Sequence, residues 1–300
     1  MSLVLLPFPM QRPLAKQMAS CLDARVGRLD WRRFPDGESL VAIDEAVAGH
    51  EVAVVASLHD PDAISVALRF AADAARDLGA RRVGLVAPYL AYMRQDKRFH
   101  AGEAVSARSF ARLIGQGFDW LVTVDPHLHR IASLSEVFAI PTRCVQAAPL
   151  LADWIRATVP DAVVIGPDEE SRQWAEAIAS RAGVPFQVLR KVRRGDLDVE
   201  VSLPDAVAAA ARTAVIVDDI VSSGRTMLET ARHLRRTGMR VVCEAIHAVF
   251  AGDAHDRLRE AGVDRIVSTD TIVHATNAIP VAAAVARAVG ELVAPPDPWG

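Results

Sequence analysis

The sequence predicts an α/β protein of two similar domains, each a mainly parallel sheet flanked by helices. Short β-branched runs alternate with alanine-rich stretches of helical spacing, and strands separated by helices pair in parallel. This alternation occurs twice, with an interruption near Pro141 and Pro149. We therefore predict an N-terminal domain over residues 1–145 and a C-terminal domain over residues 146–300.

The elements of the first domain begin with an apolar stretch at residues 1–10, which we interpret as a strand. This stretch lacks the basic region of a signal peptide and contains two prolines. The remaining candidates are strand 52–57, helix 63–78, strand 83–88, helix 106–114 and strand 121–125.

The second domain repeats the same alternation. Its predicted elements are strand 163–168, helix 170–182, strand 186–190, a strand resuming at 199–201, strand 215–219, helix 227–236, strand 241–250, helix 255–261, strand 266–270 and helix 281–293.

Composition narrows the class of function. A chain of 300 residues that is 51% hydrophobic can bury substantial cores. A net charge of −3 provides no broad basic field, so we expect no nucleic-acid partner and only local cationic sites for anions. No run suggests a membrane span. Because Cys21, Cys144 and Cys243 are isolated, we expect buried thiols in a cytoplasmic protein, with no disulfide framework and no structural zinc.

The most informative stretch runs from Ala214 to Met227. An apolar strand ends in the paired acids Asp218 and Asp219, and a turn of small residues precedes a helix. Free amides at a helix N-terminus favour an anion, whereas paired carboxylates suit the hydroxyls of a sugar. The alternative is a tight turn with a serine N-cap. The candidate ligands for a phosphorylated pentose are Asp218, Asp219, Ser222, Ser223, Gly224, Arg225 and Thr226.

The stretch VIVDDIVSSGRT resembles the pentose-phosphate signature shared by phosphoribosyltransferases and ribose-phosphate pyrophosphokinases. The latter family makes phosphoribosyl pyrophosphate (PRPP), and the signature alone does not separate the two families. Arg225 stands where these families usually have glycine. The resemblance implies a fold of the type I phosphoribosyltransferase kind.

Acids also end other predicted strands, at Asp125, Asp168 and Asp270. Ligands of open α/β sheets bind beyond the carboxyl ends of the strands, so we expect these acids to face a cleft. For Asp270 taken alone, a helix N-cap is the favoured interpretation.

Two segments of the first domain distinguish the families. From their residue types alone, residues 33–38 could form a surface hairpin or a loop that stacks on a purine. Residues 88–96 could form a solvated loop or a site for a triphosphate. They resemble the FPDGE and PYxxYxRQD motifs of ribose-phosphate pyrophosphokinases, a resemblance that extends from Arg33 to Thr271. It implies that ATP is bound by Phe34, Asp36, Gly37, Glu38, Arg94 and Gln95. In that family a neighbouring subunit supplies the first loop, which implies a homo-oligomer, at least a dimer.

Further family elements follow. Asp125-Pro126-His127 resembles a D-x-H element, which implies that His127 contacts ATP and metal. Gly166-Pro167-Asp168 resembles the S/A-P-D segment, which implies a metal role for Asp168, although Glu169 and Glu170 replace the small residues that usually follow. Lys191-Val192-Arg193 lies in a predicted hairpin and resembles the catalytic K-x-R loop. Without the resemblance, it would be a basic hairpin tip.

The resemblance implies an ATP:ribose-5-phosphate diphosphotransferase that uses Mg²⁺ and releases PRPP and AMP. Lys191 and Arg193 would stabilise the group in transit. Two alternatives remain open from the sequence: a phosphoribosyltransferase that uses PRPP, and a non-catalytic regulatory relative.

Overall fold

The computed structural model describes residues 2–128, 131, 133–189, 191–194, 198–201 and 212–294. Within them the strands are β1 (Leu3–Pro7), β2 (Arg25–Val26), β3 (Arg28–Arg33), β4 (Ser39–Asp44), β5 (Glu51–Val55), β6 (Arg82–Ala87), β7 (Trp120–Val124), β8 (Thr142–Val145), β9 (Ala162–Gly166), β10 (Phe186–Val188), β11 (Lys191–Arg194), β12 (Asp198–Val201), β13 (Thr213–Ile220), β14 (Arg240–His247), β15 (Arg265–Thr269) and β16 (Asn277–Ile279).

The helices are α1 (Arg12–Leu22), α2 (Pro61–Asp77), α3 (Ser106–Gly117), α4 (Ala148–Thr158), α5 (Arg172–Ala182), α6 (Arg225–Arg236), α7 (Ala254–Glu260) and α8 (Ala282–Val293). Short 3-10 turns cover Pro9–Gln11, Leu134–Glu136 and Glu169–Ser171.

The first unit contains a six-stranded parallel sheet in the order β2-β1-β5-β6-β7-β8. Every residue of β1, β5 and β7 is buried, as expected for strands covered on both faces. Val4, Leu6 and Val54 pack in one core with residues of α2 and α3. Helices α1 and α8 contact strands of the same sheet.

The second unit contains another six-stranded parallel sheet, in the order β10-β9-β13-β14-β15-β16. Val163, Ile216 and Cys243 point to one face and form a core with residues of α6 and α7. Helix α5 contacts β9, β10 and β13. The predicted fold class, two α/β domains with parallel sheets, is confirmed.

The division of the chain differs from the predicted one at the C-terminus. The first unit runs to Val145 and also contains the chain from Val281, whereas the second runs from Gln146 to Pro280. Helix α8, which we placed in domain 146–300, packs against α1, β7 and β8 of the first unit. Arg143 Nε donates to Glu291 Oε2 on α8 at 2.9 Å. The order of elements along the chain does not indicate which sheet a terminal helix covers.

Two antiparallel hairpins supplement the parallel sheets. Strands β3 and β4 form the first, and β11 and β12 form the hairpin predicted around Lys191. The strand predicted to reach Arg190 ends at Val188, and Arg190 lies outside the described residues. Helix α5 begins at Arg172 because a 3-10 turn occupies the residues before it.

Two cysteines differ from expectation. Cys243 is buried in β14, as predicted, but Cys21 and Cys144 are exposed. Cys144 lies on β8, an edge strand of the first sheet, and Cys21 lies on the solvent side of α1. Of the helices in the described part of the chain, none combines the length and apolar character needed to cross a bilayer.

Strand β14 carries a buried acid that no motif explains. Glu244 has 0% exposure, and neither carboxyl oxygen has a hydrogen-bond partner among the described residues. It alternates with Cys243 and Ala245, so it points to the sheet face opposite α6. Burial raises the pKa of the Glu244 carboxyl well above its usual value. Burial without a hydrogen-bond partner therefore disfavours the ionised form of this acid.

This burial predicts how stability depends on pH. Since the pKa of Glu244 is higher in the folded state than in the unfolded state, ionisation favours unfolding as pH rises above about 4.3. The free energy of unfolding should fall by up to about 1.4 kcal/mol per pH unit until the folded pKa is reached. Glu244→Gln should remove this slope in denaturant titrations between pH 5 and 9, whereas exposed Glu260→Gln should retain it. Equal slopes in wild type and Glu244→Gln would contradict a raised pKa for this buried acid.

Candidate active site

Strand β13 carries two carboxylates, Asp218 and Asp219, just before its C-terminal end at Ile220. Residues 213–217 are buried, Asp218 is half-buried and Asp219 is buried. Asp218 Oδ1 accepts from Asp219 N at 2.9 Å, and Asp219 Oδ1 accepts from Ile220 N at 2.7 Å. Burial raises the pKa of the Asp218 carboxyl, and the negative charges of Asp219 and Asp168 raise it further. Such a site favours a cation or a ligand that donates hydrogen bonds.

Asp168 follows β9, which pairs in parallel with β13, so both strands end at the same edge. Asp168 caps the next turn: its Oδ1 accepts from Ser171 N at 3.1 Å, and the Ser171 hydroxyl donates to the Asp168 carbonyl at 2.6 Å. The residue after it, Glu169, forms an ion pair with Arg172 at 2.5 Å. The side chain of Glu170 lies outside the described residues. The structure thus brings Asp168 close to the paired acids of β13.

The loop of residues 222–226 joins β13 to α6. Gly224 is the helix N-cap and has a left-handed φ of 63°, which glycine adopts without strain. Leu228 N donates to Gly224 O at 2.8 Å, so the amides of Arg225, Thr226 and Met227 have no acceptor in their own helix. None of the described residues accepts from them either. Unpaired amides and the positive end of a helix favour an anion at this position.

In the first unit, residues 34–38 form the loop of the β3–β4 hairpin. Phe34 N donates to Glu38 O at 2.7 Å, and Gly37 N donates to Phe34 O at 2.9 Å, with Gly37 at φ 93°. Asp36 Oδ1 accepts from Glu38 N at 3.1 Å, so this carboxylate stabilises the turn. Phe34 is 37% exposed, and the guanidinium of Arg32 lies 4.9 Å from the centroid of its ring. The loop presents one aromatic face and the acidic side chains around it.

The segment after β6 contains the predicted Arg94 and Gln95. Gln95 Oε1 accepts from the Ser106 hydroxyl at 2.9 Å, at the start of α3, whereas Arg94 is exposed. Tyr92 has a left-handed φ of 65° and donates its hydroxyl to Asp62. This hydrogen bond raises the pKa of Tyr92. Sequence analysis did not identify Asp62, since no motif links helix α2 to this segment.

Residues 125–127 leave strand β7 with an unusual backbone. Asp125 and His127 have left-handed φ values of 33° and 45°, which are strained for residues with a β-carbon. Asp125 N donates to Val145 O at 3.0 Å, and His127 N donates to Asp125 O at 2.9 Å. Asp125 is buried and His127 is half-buried at this edge of the first sheet. Strain maintained at a strand end is typical of functional sites.

The basic hairpin has a defined backbone. Lys191 pairs with Val201 and Arg193 with Val199 in antiparallel register. The side chains of Lys191 and Arg193, and the tip at residues 195–197, lie outside what the structure describes. The two basic residues are two positions apart on strand β11.

Comparison with known proteins places this geometry in a family. Residues 3–116 match the N-terminal domain of ribose phosphate pyrophosphokinase, and residues 133–286 match the phosphoribosyl transferase domain. The chain is 39% identical to a ribose-phosphate pyrophosphokinase of Methanopyrus kandleri over 283 residues, covering 93% of this chain and 96% of the relative. The chain belongs to the ribose-phosphate pyrophosphokinase family.

Two further relatives agree with this family. A ribose-phosphate pyrophosphokinase of Halobacterium salinarum is 38% identical over 277 residues, covering 92% of this chain and 96% of the relative. The crystal structure of phosphoribosylpyrophosphate synthetase from Mycobacterium smegmatis has a TM-score of 0.81 at 28% identity, covering 97% of this chain and 100% of the other. The family resemblance inferred from the motifs is therefore confirmed.

The carboxylates of this pyrophosphokinase can be compared with the needs of Mg²⁺. Among the described residues, no three His, Cys, Asp or Glu side chains are grouped to hold a metal. Mg²⁺ commonly uses one or two carboxylates and takes its other ligands from water and substrate phosphates. Asp168, with one oxygen used in capping, fits such a partial site beside Asp218.

The glycine of the 222–226 loop provides a test of whether this loop of the pyrophosphokinase binds an anion. Gly224→Ala should strain the left-handed backbone by roughly 1 kcal/mol and tilt the amides, weakening the binding of ribose 5-phosphate. Gly183→Ala is a matched control, because Gly183 also has a left-handed φ (75°) but ends α5. Both variants should lose a similar amount of thermal stability. Calorimetry that found equal ligand affinity in both variants would contradict the assignment of the loop.

Proposed function

We propose that this pyrophosphokinase transfers the β,γ-diphosphoryl group of ATP to O1 of ribose 5-phosphate, giving PRPP and AMP. The observation that carries the proposal is the paired acids of β13 followed directly by an anion site at the N-terminus of α6. One continuous segment can thereby bind both the hydroxyls and the phosphate of one sugar. The curated relatives named ribose-phosphate pyrophosphokinase support the same reaction.

In the pentose site, Asp218 and Asp219 accept hydrogen bonds from the ribose hydroxyls. Asp218 Oδ1 and Asp219 Oδ1 each accept one backbone hydrogen bond, and an ionised carboxylate can accept several hydrogen bonds at once. The 5-phosphate receives hydrogen bonds from the loop. The residues that hold it are Ser222, Ser223, Gly224, Arg225 and Thr226. Arg225 is exposed on the first turn of α6 and adds a positive charge to the amides.

In the ATP site, the exposed Phe34 ring stacks on adenine, and Asp36 and Glu38 accept from the base. Gly37 permits the tight turn that brings these residues together. Arg94, Gln95 and His127 bind the phosphates. The exposed guanidinium of Arg94 and the half-buried ring of His127 support these roles.

Mg²⁺ is part of the proposal, with Asp168 and His127 as its protein contacts. When bound, it would neutralise phosphate charge and orient the chain of phosphates for in-line attack. Asp168 would contribute the carboxylate oxygen that does not cap the 3-10 turn.

The transfer forms a bond between O1 of the sugar and the β-phosphorus, and it breaks the bond between that phosphorus and the oxygen bridging to AMP. The hydroxyl proton is lost to solvent. Lys191 and Arg193 stabilise the negative charge that develops on the diphosphoryl group. No covalent protein intermediate is required.

Self-association and a cytoplasmic location complete the proposal. Val66, Phe70 and Leu113 are large exposed hydrophobic residues on α2 and α3, which contact each other. An apolar surface of this kind supports a homo-oligomer in which Phe34 serves a neighbouring subunit. If analytical ultracentrifugation at micromolar concentration showed a monomer, this arrangement would be contradicted. Cell fractionation tests the cytoplasmic location.

A direct assay distinguishes this function from the alternatives. Purified protein with ATP, Mg²⁺ and ribose 5-phosphate should produce AMP and PRPP in equal amounts. A phosphoribosyltransferase would instead consume PRPP and a nucleobase, and a regulatory relative would do neither. The match of residues 3–116 to an N-terminal pyrophosphokinase domain favours the first outcome.

Asp218→Asn tests the pentose site. It removes the charge with little change in volume, so the Kd for ribose 5-phosphate should rise roughly tenfold or more while the Kd for ATP is unchanged. Asp161→Asn, at an exposed turn of the same unit, should leave both affinities intact. Titration calorimetry measures both ligands. Equal loss of both affinities in Asp218→Asn would show that the acid is not specific to the pentose.

Lys191→Ala tests the chemical step. Because the lysine acts on charge that develops in the transition state, kcat should fall roughly a hundred- to thousandfold while the Kd values of both substrates change little. Arg193→Ala should behave similarly, and the double variant should lose less than the sum since both residues act on one anion. Lys16→Ala, exposed on α1, is the control. Near-normal turnover by Lys191→Ala would exclude the role.

A further inference from the structure

A segment that follows β14 holds the 222–226 loop from one side. This supporting segment, residues 250–257, leads into α7 and binds successive carbonyl groups of the chain that enters the loop. The three hydrogen bonds are Phe250 N to Val221 O (2.7 Å), Ala251 N to Ser222 O (3.0 Å) and Arg257 Nη2 to Ser223 O (3.1 Å). All three acceptors are backbone atoms, so the segment determines the path of the loop.

The direction of these carbonyls sets the direction of the loop's amides. In a planar trans peptide, the C=O of one residue and the N–H of the next point in opposite directions. Since the carbonyls of residues 221–223 point toward the supporting segment, the N–H groups of Ser222, Ser223 and Gly224 point away from it. No described residue accepts from these amides. Successive amides that point to one side form a concave anion site.

The supporting segment is itself firmly held. Phe250 has a left-handed φ of 39°, a conformation that persists for such a residue only when its surroundings maintain it. Its ring lies 5.4 Å from that of His255 and 4.7 Å from that of His274, measured between centroids. Ala254 and Leu258 anchor α7 in the core. Arg257 therefore projects from a fixed element.

Arg257 is the one donor of the three that a substitution can remove without changing the backbone. Its Nε also lies 3.1 Å from Asp253 Oδ1, within ion-pair distance but outside hydrogen-bond geometry. We propose that Arg257 is a positioning residue for the sugar phosphate, fixing the Ser223–Gly224 peptide so that the Gly224 N–H faces the 5-phosphate. The inference rests on the proposed function, which makes ribose 5-phosphate the ligand of this loop.

The test compares Arg257→Met, Arg257→Lys and a control, Arg259→Met, in the full-length protein. Arg259 is exposed on the same helix and carries the same charge. In Arg257→Met, the Kd and KM for ribose 5-phosphate should rise roughly five- to tenfold, the effect of one hydrogen bond, while kcat and the KM for ATP change by less than about twofold. Arg257→Lys retains a donor and the charge, so its loss should be smaller. Arg259→Met should resemble wild type.

Three results would overturn the inference. The first is an unchanged affinity for ribose 5-phosphate in Arg257→Met. The second is an equal loss in Arg259→Met, because net charge would then account for the effect. The third is a parallel loss of ATP affinity and thermal stability in both Arg257 variants, which would mean a structural role. A wild-type chain that binds no ribose 5-phosphate would instead overturn the proposed function, and this inference with it.

Discussion

The site of the second unit depends on the parallel pairing of β13 with β9 and β14. Parallel strands end at a common edge, so the pairing brings Asp168 beside Asp218 and Asp219 and places the N-terminus of α6 directly after them. Burial and like charge raise the pKa of Asp218, so ionising this carboxyl costs free energy. The fold tolerates that cost because the strand core from Ala214 to Val217 is buried and stabilises the strand. A polyol or a cation would relieve that repulsion, whereas the amides a few residues later favour an anion. A ligand with hydroxyl groups at one end and a phosphate at the other, such as a sugar phosphate, would suit both parts of this segment.

The first unit uses its strand ends differently. There, Tyr92, Asp125 and His127 have left-handed backbone angles after β6 and β7, and two of them, Tyr92 and Asp125, are held by contacts outside their own turns. The Tyr92 hydroxyl binds Asp62 on α2, and Asp125 N binds the carbonyl of Val145 on β8. In the first unit, neighbouring residues hold these polar residues in strained backbone conformations. In the second unit, a buried strand holds two acidic side chains near its C-terminal end. In both units, the fold itself positions polar residues without a bound ligand.

Sequence reasoning predicted features that arise from local chemistry. The alternation of strands and helices, the end of β13 in Asp218 and Asp219, the turn at Gly224 and the hairpin at Lys191 all follow from neighbouring residue types. It was wrong about helix α8, whose partner sheet is chosen by tertiary packing, and about the exposure of Cys21 and Cys144. It did not find Arg257 or Asp62, because each contacts its loop from a distant part of the sequence, Arg257 at the Ser223 carbonyl and Asp62 at the Tyr92 hydroxyl. The buried Glu244 carries no pattern that separates it from a surface acid.

The central claim is that one strand, turn and helix bind both ends of a single sugar phosphate. Titration calorimetry with ribose 5-phosphate, free ribose and inorganic phosphate, each in the absence of ATP, tests it most directly. If the paired acids and the loop act on one molecule, ribose 5-phosphate should bind far more tightly than either fragment, because joining the fragments avoids a second loss of translational freedom. An affinity for ribose 5-phosphate no higher than that for inorganic phosphate would mean that the acids do not contact the sugar, and would contradict the account.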